Sequence, residues 1–241
     1  MNRGFILLAA LALTAATTAA PHKVVRNTPI LEFTYEWPAE AVAIPALDRR
    51  LYSKAKADLA KAQKYALEDQ KLTASQKRDF NPHYYSMLWS TAGESPRLLS
   101  LEGVFEGFTG GAHPQHGNEA LLWDRKLNRE TDLNRLFVKS SAFLALTRGP
   151  YCKALDGERR QRREGESLGG EFDQCPKYGE LKIAPVDNNG NGRFDRIAFV
   201  AMPYVAGPYV EGAYETPLPV TAALIAALKP EYRSSFEVYR Q

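Results

Sequence analysis

The chain has 241 residues, 44% of them hydrophobic and 24% charged, with 31 Lys and Arg against 28 Asp and Glu for a formal net charge of +3. This length supports a sizeable core in one large domain or two small ones. The near balance of charge leaves no electrostatic footprint for nucleic acid and excludes an argument for it on charge alone.

The N-terminus reads Met1-Asn2-Arg3, then an apolar run from Phe5 to Ala16, then the small residues Thr17 to Ala20. A basic start, a short apolar stretch and a small-residue end form the pattern of a secretory signal peptide. Pro21 disfavours a cut directly before it, so cleavage is placed after Ala19. The run is shorter than the ~20 apolar residues of a membrane-spanning helix, and no second long apolar run follows. The mature protein is therefore expected to be periplasmic or secreted, with no transmembrane segment. No cysteine near the cut could carry a lipid.

Ile30 to Trp37 alternates apolar Leu31, Phe33, Tyr35 and Trp37 with more polar neighbours, the period of a strand. From Ala46 to about Lys71 the apolar positions Leu47, Leu51, Ala55, Leu59, Ala62 and Ala66 recur every three or four residues, with lysines between them. This predicts an amphipathic helix lying on a sheet; its alanine face has too little bulk to anchor in lipid. Strands are expected around Tyr84 to Ala92, Arg97 to Phe108 and Asn118 to Asp124. A helical region is expected to begin at Asp132 and run on through Phe143, Leu144 and Leu146. The two cysteines, Cys152 and Cys175, favour a disulfide in an exported protein, which would stabilise the fold by about 3 kcal/mol; free buried thiols or a redox pair are the alternatives. Between them, Asp156, Glu158, Arg160, Arg162, Glu164 and Glu166 form opposite-charge pairs four apart. RRQRR therefore reads as part of a short solvated helix rather than a polyanion site. The last third reads as strand, tight loop, strand, turn, strand and helix, from Glu180 to Leu228.

Two segments carry a family resemblance: Phe108 to Phe137, with its TGGAH turn and acid-Leu-x-x-Leu-Phe helix start, and Ile197 to Pro219, with PY…GPY…G…LP. Together they resemble a family of extracytoplasmic bacterial domains of unknown function. That family includes the sensor region of RsiV-like anti-sigma factors and the N-terminal region of PdaC-like peptidoglycan deacetylases. The resemblance implies an α+β fold of two packed lobes, each a small mainly antiparallel sheet with helices on one side, and extracytoplasmic binding as the general role. In the RsiV-like branch the ligand is lysozyme. The sigma-binding part, the transmembrane helix and the deacetylase catalytic domain of those relatives are absent from this sequence, so the ligand is not inherited. The expected organisation is a signal peptide at 1–19, an N-terminal lobe at 20–125 and a C-terminal lobe at 126–241.

The sharpest local motif is Asp187 to Asp195, DNNGNGRFD. Asp187, Asn189, Asn191 and Asp195 place side-chain oxygens at loop positions 1, 3, 5 and 9, with Gly192 at position 6 and the Arg193 carbonyl at 7, the front of a calcium loop. Ala198 stands where an EF-hand has its bidentate glutamate, so any Ca2+ would be weakly held. The other reading is a polar hairpin loop. His113 and His116 in GGAHPQHG have three candidate roles, holding the turn, contacting a ligand or sharing a metal. Tyr204, Tyr209 and Tyr214, with Glu211, form either a saccharide- or protein-binding face or the packing of the last hairpin. Catalytic motifs are lacking: there is no G-x-S-x-G elbow and no phosphate loop, and nothing in the spacing of Glu106, Asp124 and Asp132 makes them converge. The sequence points first to a non-enzymatic binding module for a cell-envelope component, a peptidoglycan-derived ligand or a protein such as lysozyme. The alternative is a cell-wall-active hydrolase or its accessory.

Overall fold

The computed structural model describes residues 20–240; the predicted signal peptide, 1–19, lies outside the described residues. The fold is α+β, with one six-stranded mixed sheet and one four-stranded antiparallel sheet. The first sheet runs in sequence order through β1 (His22–Thr28), β2 (Leu31–Trp37), β3 (His83–Glu94), β4 (Leu98–Phe108), β5 (Gln115–Asp124) and β6 (Arg129–Thr131). β1 has little periodicity of its own and was not anticipated; it pairs antiparallel with β2 over its whole length.

Between β2 and β3 come a short helix α1 (Ala39–Val42) and the long helix α2 (Pro45–Ser75), with Pro45 at its first turn. β2 and β3 are parallel, and a parallel pair needs such a crossover. α2 buries Leu47, Leu51, Ala55 and Ala66 against Phe33, Tyr35, Trp37, Met87 and Trp89 of the sheet. Small alanines on the helix let bulky aromatics on the strands fill the gap. At 1.5 Å per residue α2 is about 46 Å long.

The region after Asp132 departs from the expected continuous helix. Asp132 accepts the Asn134 N–H and starts a 3-10 turn, Leu133–Leu136. Phe137 is then extended and bridges Leu228, and only at Ala142 does helix α3 (Ala142–Arg162) begin. Tertiary pairing of Phe137 interrupts what local pattern alone would continue. The solvated-helix reading of RRQRR is also corrected. α3 ends at Arg162 and Glu164 has a positive φ of 53°, so the two C-terminal charge pairs are not on a helix. Arg159 and Arg163 are buried, with 3% and 9% exposure. The Cys152–Cys175 disulfide forms, with Cα atoms 5.4 Å apart, and ties α3 to the end of the polar excursion.

The second sheet holds β7 (Leu181–Val186), β8 (Arg196–Ala201), β9 (Tyr214–Glu215) and β10 (Leu218–Pro219), in order β10-β8-β7 with β9 also on β8. The single return strand expected from Tyr214 to Leu218 is thus two short pieces, separated at Thr216-Pro217. Helix α4 (Ala222–Ala227) follows, capped by Thr221. Phe143, Tyr151, Phe199, Leu224 and Phe236 fill the core on this side, joined by Leu98 and Leu122 from the first sheet.

A buried carboxylate fastens the first sheet to the C-terminal 3-10 turn Pro230–Ser235. Asp124 is 0% exposed. Its Oδ2 accepts from Arg97 Nε and Nη2 at 3.2 and 3.0 Å and from the Tyr232 hydroxyl at 2.9 Å. Its Oδ1 accepts the N–H groups of Lys126 and Leu127, both at 2.9 Å. The Arg97 guanidinium also lies 4.1 Å from the Tyr232 ring centroid. Beside this knot Ser95 Oγ donates to Ser235 Oγ at 2.9 Å. The bulge at Thr91/Gly93 brings the Asp187 N–H to the Ala92 carbonyl at 3.1 Å. The approach is so close that a Cβ on Gly93 would stand 2.6 Å from the Asp187 nitrogen.

Burial alone would raise the Asp124 carboxyl, but the Leu127 N–H, Tyr232 and Arg97 outweigh it and hold it below its ordinary value. The contribution to stability is complete above the unfolded carboxylate pKa of about 3.9 and disappears as pH falls through the folded value. Asp124→Ala is expected to lower stability at neutral pH by about 3 kcal/mol, because it unpairs the partly buried Arg97 guanidinium and leaves the buried Tyr232 hydroxyl without its acceptor. In denaturant titrations the wild type should lose more stability than this variant as pH descends below about 4.

Candidate functional site

Arginines from the end of α3 organise the loop 202–213. Arg159 Nε and Arg163 Nη2 both donate to the Ala206 carbonyl, at 3.0 and 3.2 Å. Arg162 Nη1 donates to the carbonyls of Glu211 and Ala213, at 2.6 and 2.9 Å, and its guanidinium covers the Tyr214 ring at 4.1 Å. Arg163 grips the Glu211 carboxylate with two parallel bonds of 2.9 Å, a geometry that a guanidinium provides and an ammonium does not. Glu211 also accepts from the Tyr214 hydroxyl at 2.5 Å. The Arg163 bonds are the main reason its carboxyl is held below the usual range, against the effect of burial. Gly207 leaves the room this needs: a Cβ there would meet Glu211 Oε2 at 2.1 Å. The basic run thus supplies donors for loop carbonyls that have no sheet partner.

On this base the loop presents aromatic side chains. Tyr204 is 64% exposed and has φ of 72°, the left-handed region that costs an ordinary residue about 1–2 kcal/mol. Its ring lies 5.9 Å from that of Tyr209, which lies 5.1 Å from His113 in the β4–β5 turn. Val210 beside them is 89% exposed. The two family-like segments, about a hundred residues apart in sequence, meet here through His113 and Tyr209. Glu211 sits beneath the row rather than in it, engaged by Arg163 and Tyr214. His116 is separate from His113 and has Nδ1 3.8 Å from Glu106.

A second feature was not visible in the sequence. A cleft of ≈ 410 Å³ between the sheets is lined by Glu102 of β4, Glu215 of β9, Asn118, Arg196 and Thr216. Burial, with the like charge of Glu215, raises the Glu102 carboxyl above its ordinary value. Of the carboxylates weighed earlier, Asp124 is in the knot, Asp132 caps a turn and Glu106 is exposed. The packing of one sheet against the other, not spacing in sequence, places Glu102 and Glu215 on one cleft.

In the loop 187–195, Asp187 Oδ1 accepts the Gly190 and Asn191 N–H groups at 2.8 and 3.2 Å, and Oδ2 the Gly192 N–H at 2.8 Å. Asp195, 2% exposed, accepts the Asn188 N–H at 2.8 Å. The amides of Asn189 and Asn191 both donate to Glu237 at 2.7 Å, an acid from the C-terminal segment. Among the described residues no group of three His, Cys, Asp or Glu side chains is placed to hold a metal ion.

The fold has solved counterparts. A DUF3298 family protein from Pseudomonas aeruginosa matches with a TM-score of 0.55 at 15% identity, over 88% of this chain and 95% of that one. A DUF3298 family member from Bacteroides fragilis matches with a TM-score of 0.53 at 13% identity, over 90% and 98%. At these identities the likeness is one of fold. Residues 24–116, from β1 through His113 to the start of β5, match the family described as Deacetylase PdaC, and that segment is similar to it. No curated protein matches the chain.

The strained Tyr204 makes a separable prediction. Tyr204→Gly should leave stability no lower, and higher by up to about 1 kcal/mol, since glycine adopts this φ without steric cost. Glu211→Ala should cost about 2 kcal/mol, since buried Arg163 keeps only Asp173 as an ion-pair partner and the Tyr214 hydroxyl loses its acceptor. Thermal or denaturant unfolding of the two variants checks both.

Proposed function

We propose that this protein is an exported, non-enzymatic binding module, with the row of His113, Tyr209 and Tyr204 as its recognition surface for a cell-envelope component or a protein such as lysozyme. The observation that carries this reading is an exposed tyrosine held in a left-handed backbone on a base of buried arginine bonds. Stability does not call for a tyrosine there, and strain that the surroundings impose on an exposed aromatic is characteristic of recognition sites. Tyrosines present large, rigid, amphipathic contact area. Export is supported by the signal-like N-terminus and by the disulfide, which persists in oxidising compartments.

Purified mature protein is to be tested against immobilised lysozyme and, by co-sedimentation, against peptidoglycan. Binding to one of them should survive moderate salt and fall about tenfold or more in Tyr204→Gly and Tyr209→Ala, both still folded. Binding indifferent to both substitutions would remove the patch from the reading, and no binding to either material would remove those two ligands.

Calcium enters this reading as a weak structural ligand of the 187–195 loop, through Asp187, Asn189, Asn191, the Arg193 carbonyl and Asp195. Exported modules of few charged donors hold it at about 10⁻⁴–10⁻³ M. Ca2+ at ten times its Kd should then stabilise the fold by about 1.4 kcal/mol. A melting temperature unchanged by both Ca2+ and a chelator would end the proposal.

A hydrolase acting on the cell wall is the second reading, favoured by the Glu102–Glu215 cleft. A carboxyl raised by burial beside an ionised one is the arrangement of acid and base in glycoside hydrolysis. Labelled peptidoglycan should then be degraded by the wild type and left intact by Glu102→Gln.

A further inference from the structure

A second cleft, of ≈ 320 Å³, opens between α2 and the first sheet. It lies at the low end of the range of small-ligand cavities, about 300–1,000 Å³. Its floor follows from glycine placement. Phe105 on β4 pairs with Gly117 on β5, and Gly107 follows two residues later on the same face. A Cβ on Gly107 would fall 2.7 Å from Phe105 Cζ, and one on Gly117 3.4 Å from Phe105 Cδ1. The Phe105 ring therefore lies down along the sheet over both glycines and offers its face to the cleft. Tyr85 packs against it with centroids 5.1 Å apart and is itself stacked on Phe33 at 4.9 Å.

The opposite wall belongs to α2. Tyr65 is 47% exposed, with Lys61 Nζ 5.6 Å from its ring centroid. Asp58 Oδ2 accepts from the Tyr85 hydroxyl at 2.9 Å and from Lys54 at 3.1 Å, while Oδ1 accepts nothing from the described residues. Burial, with Asp58 next to it, pushes the Tyr85 phenol up, so it stays a donor. The charged side chains lining the cleft are Lys54, Lys61, Asp58 and Glu119, which cancel; His83 is 3% exposed and engaged with Asp69 at 3.1 Å.

An aromatic floor, a second aromatic at the side, an open carboxylate oxygen and no net charge select an uncharged polar molecule with one apolar face. A phosphate would want an excess of cations, and a cationic ligand an excess of acids. We propose that this cleft binds a pyranose ring of a short saccharide, its C–H face on Phe105 and Tyr65 and its hydroxyls on Asp58 and Gln115. The positive C–H edges of the sugar meet the negative faces of the aromatic rings. The site shares no residue with the His113–Tyr209–Tyr204 patch and stands independently of the function proposed there.

The test is a titration of the full mature chain with diacetylchitobiose and with cellobiose, followed by two-dimensional NMR. Saturable shifts are expected on Phe105, Tyr65 and the strand around Gly117 with at least one sugar. Tyr65→Ala, an exposed position, and Asp58→Asn should each weaken binding about five- to tenfold with the melting temperature of Tyr65→Ala unchanged. Tyr204→Gly should leave it unaltered, which separates this site from the patch. The absence of saturable shifts at millimolar sugar would overturn the proposal. So would binding that Tyr65→Ala and Asp58→Asn leave intact, since it would place the sugar elsewhere. A preference for diacetylchitobiose would assign an acetamido sugar, and equal binding a hexose ring as such.

Discussion

One buried carboxylate ties the first sheet to the C-terminal segment that packs into the second core. Asp124 ends β5, Arg97 precedes β4, and Tyr232 comes from the far end of the chain; all three meet at a fully buried oxygen. A charge so placed is tolerated only when each oxygen is answered, and here each accepts at least two bonds. Because Tyr232 comes from the C-terminal 3-10 turn Pro230–Ser235, which packs into the second core, the knot holds that turn against the first sheet as well as neutralising the charge. The Ser95–Ser235 bond and the close backbone approach at Gly93 lie along the same seam. The relative placement of the β4–β5 turn and the 202–213 loop follows from this seam, and with it the meeting of His113 and Tyr209.

The arginines at the end of α3 address a different problem. The loop 202–213 passes over the core with few backbone partners of its own, and buried carbonyls without donors are costly. Arg159, Arg162 and Arg163 supply those donors, and Glu211 neutralises Arg163. Local backbone strain at Tyr204 is sustained by this network. A loop held so firmly presents its exposed side chains with little entropy left to lose on binding, which is the physical advantage of a preorganised surface.

The glycines of the first sheet act in the opposite sense, by withholding side chains. Gly107 and Gly117 let Phe105 lie flat, and Gly103 receives Trp89 with contacts of 3.0 Å to a hypothetical Cβ. The difference between a filled face near Trp89 and an open cleft near Phe105 comes from what α2 brings over each. Leu47, Leu51 and Ala55 close the first, whereas Asp58, Lys61 and Tyr65 leave the second partly open.

Much of the architecture was legible in the sequence, because periodicity reflects burial directly. The alternation of Leu31, Phe33, Tyr35 and Trp37, the three-to-four spacing of Leu47 to Ala66 and the pairing of Cys152 with Cys175 all followed from local pattern or from the parity of cysteines. Local pattern failed where long-range pairing overrode it. Phe137 left the helix to bridge Leu228, β1 existed only through β2, and the RRQRR run turned inward to loop carbonyls that no spacing rule connects to it. The sequence by itself determined the fold class and most of its elements, since each is encoded in residues close enough to reinforce one another. Only the tertiary structure decided the sites, because His113 with Tyr209, Glu102 with Glu215, and Phe105 with Tyr65 are each brought together by the packing of sheets and helix across long stretches of chain.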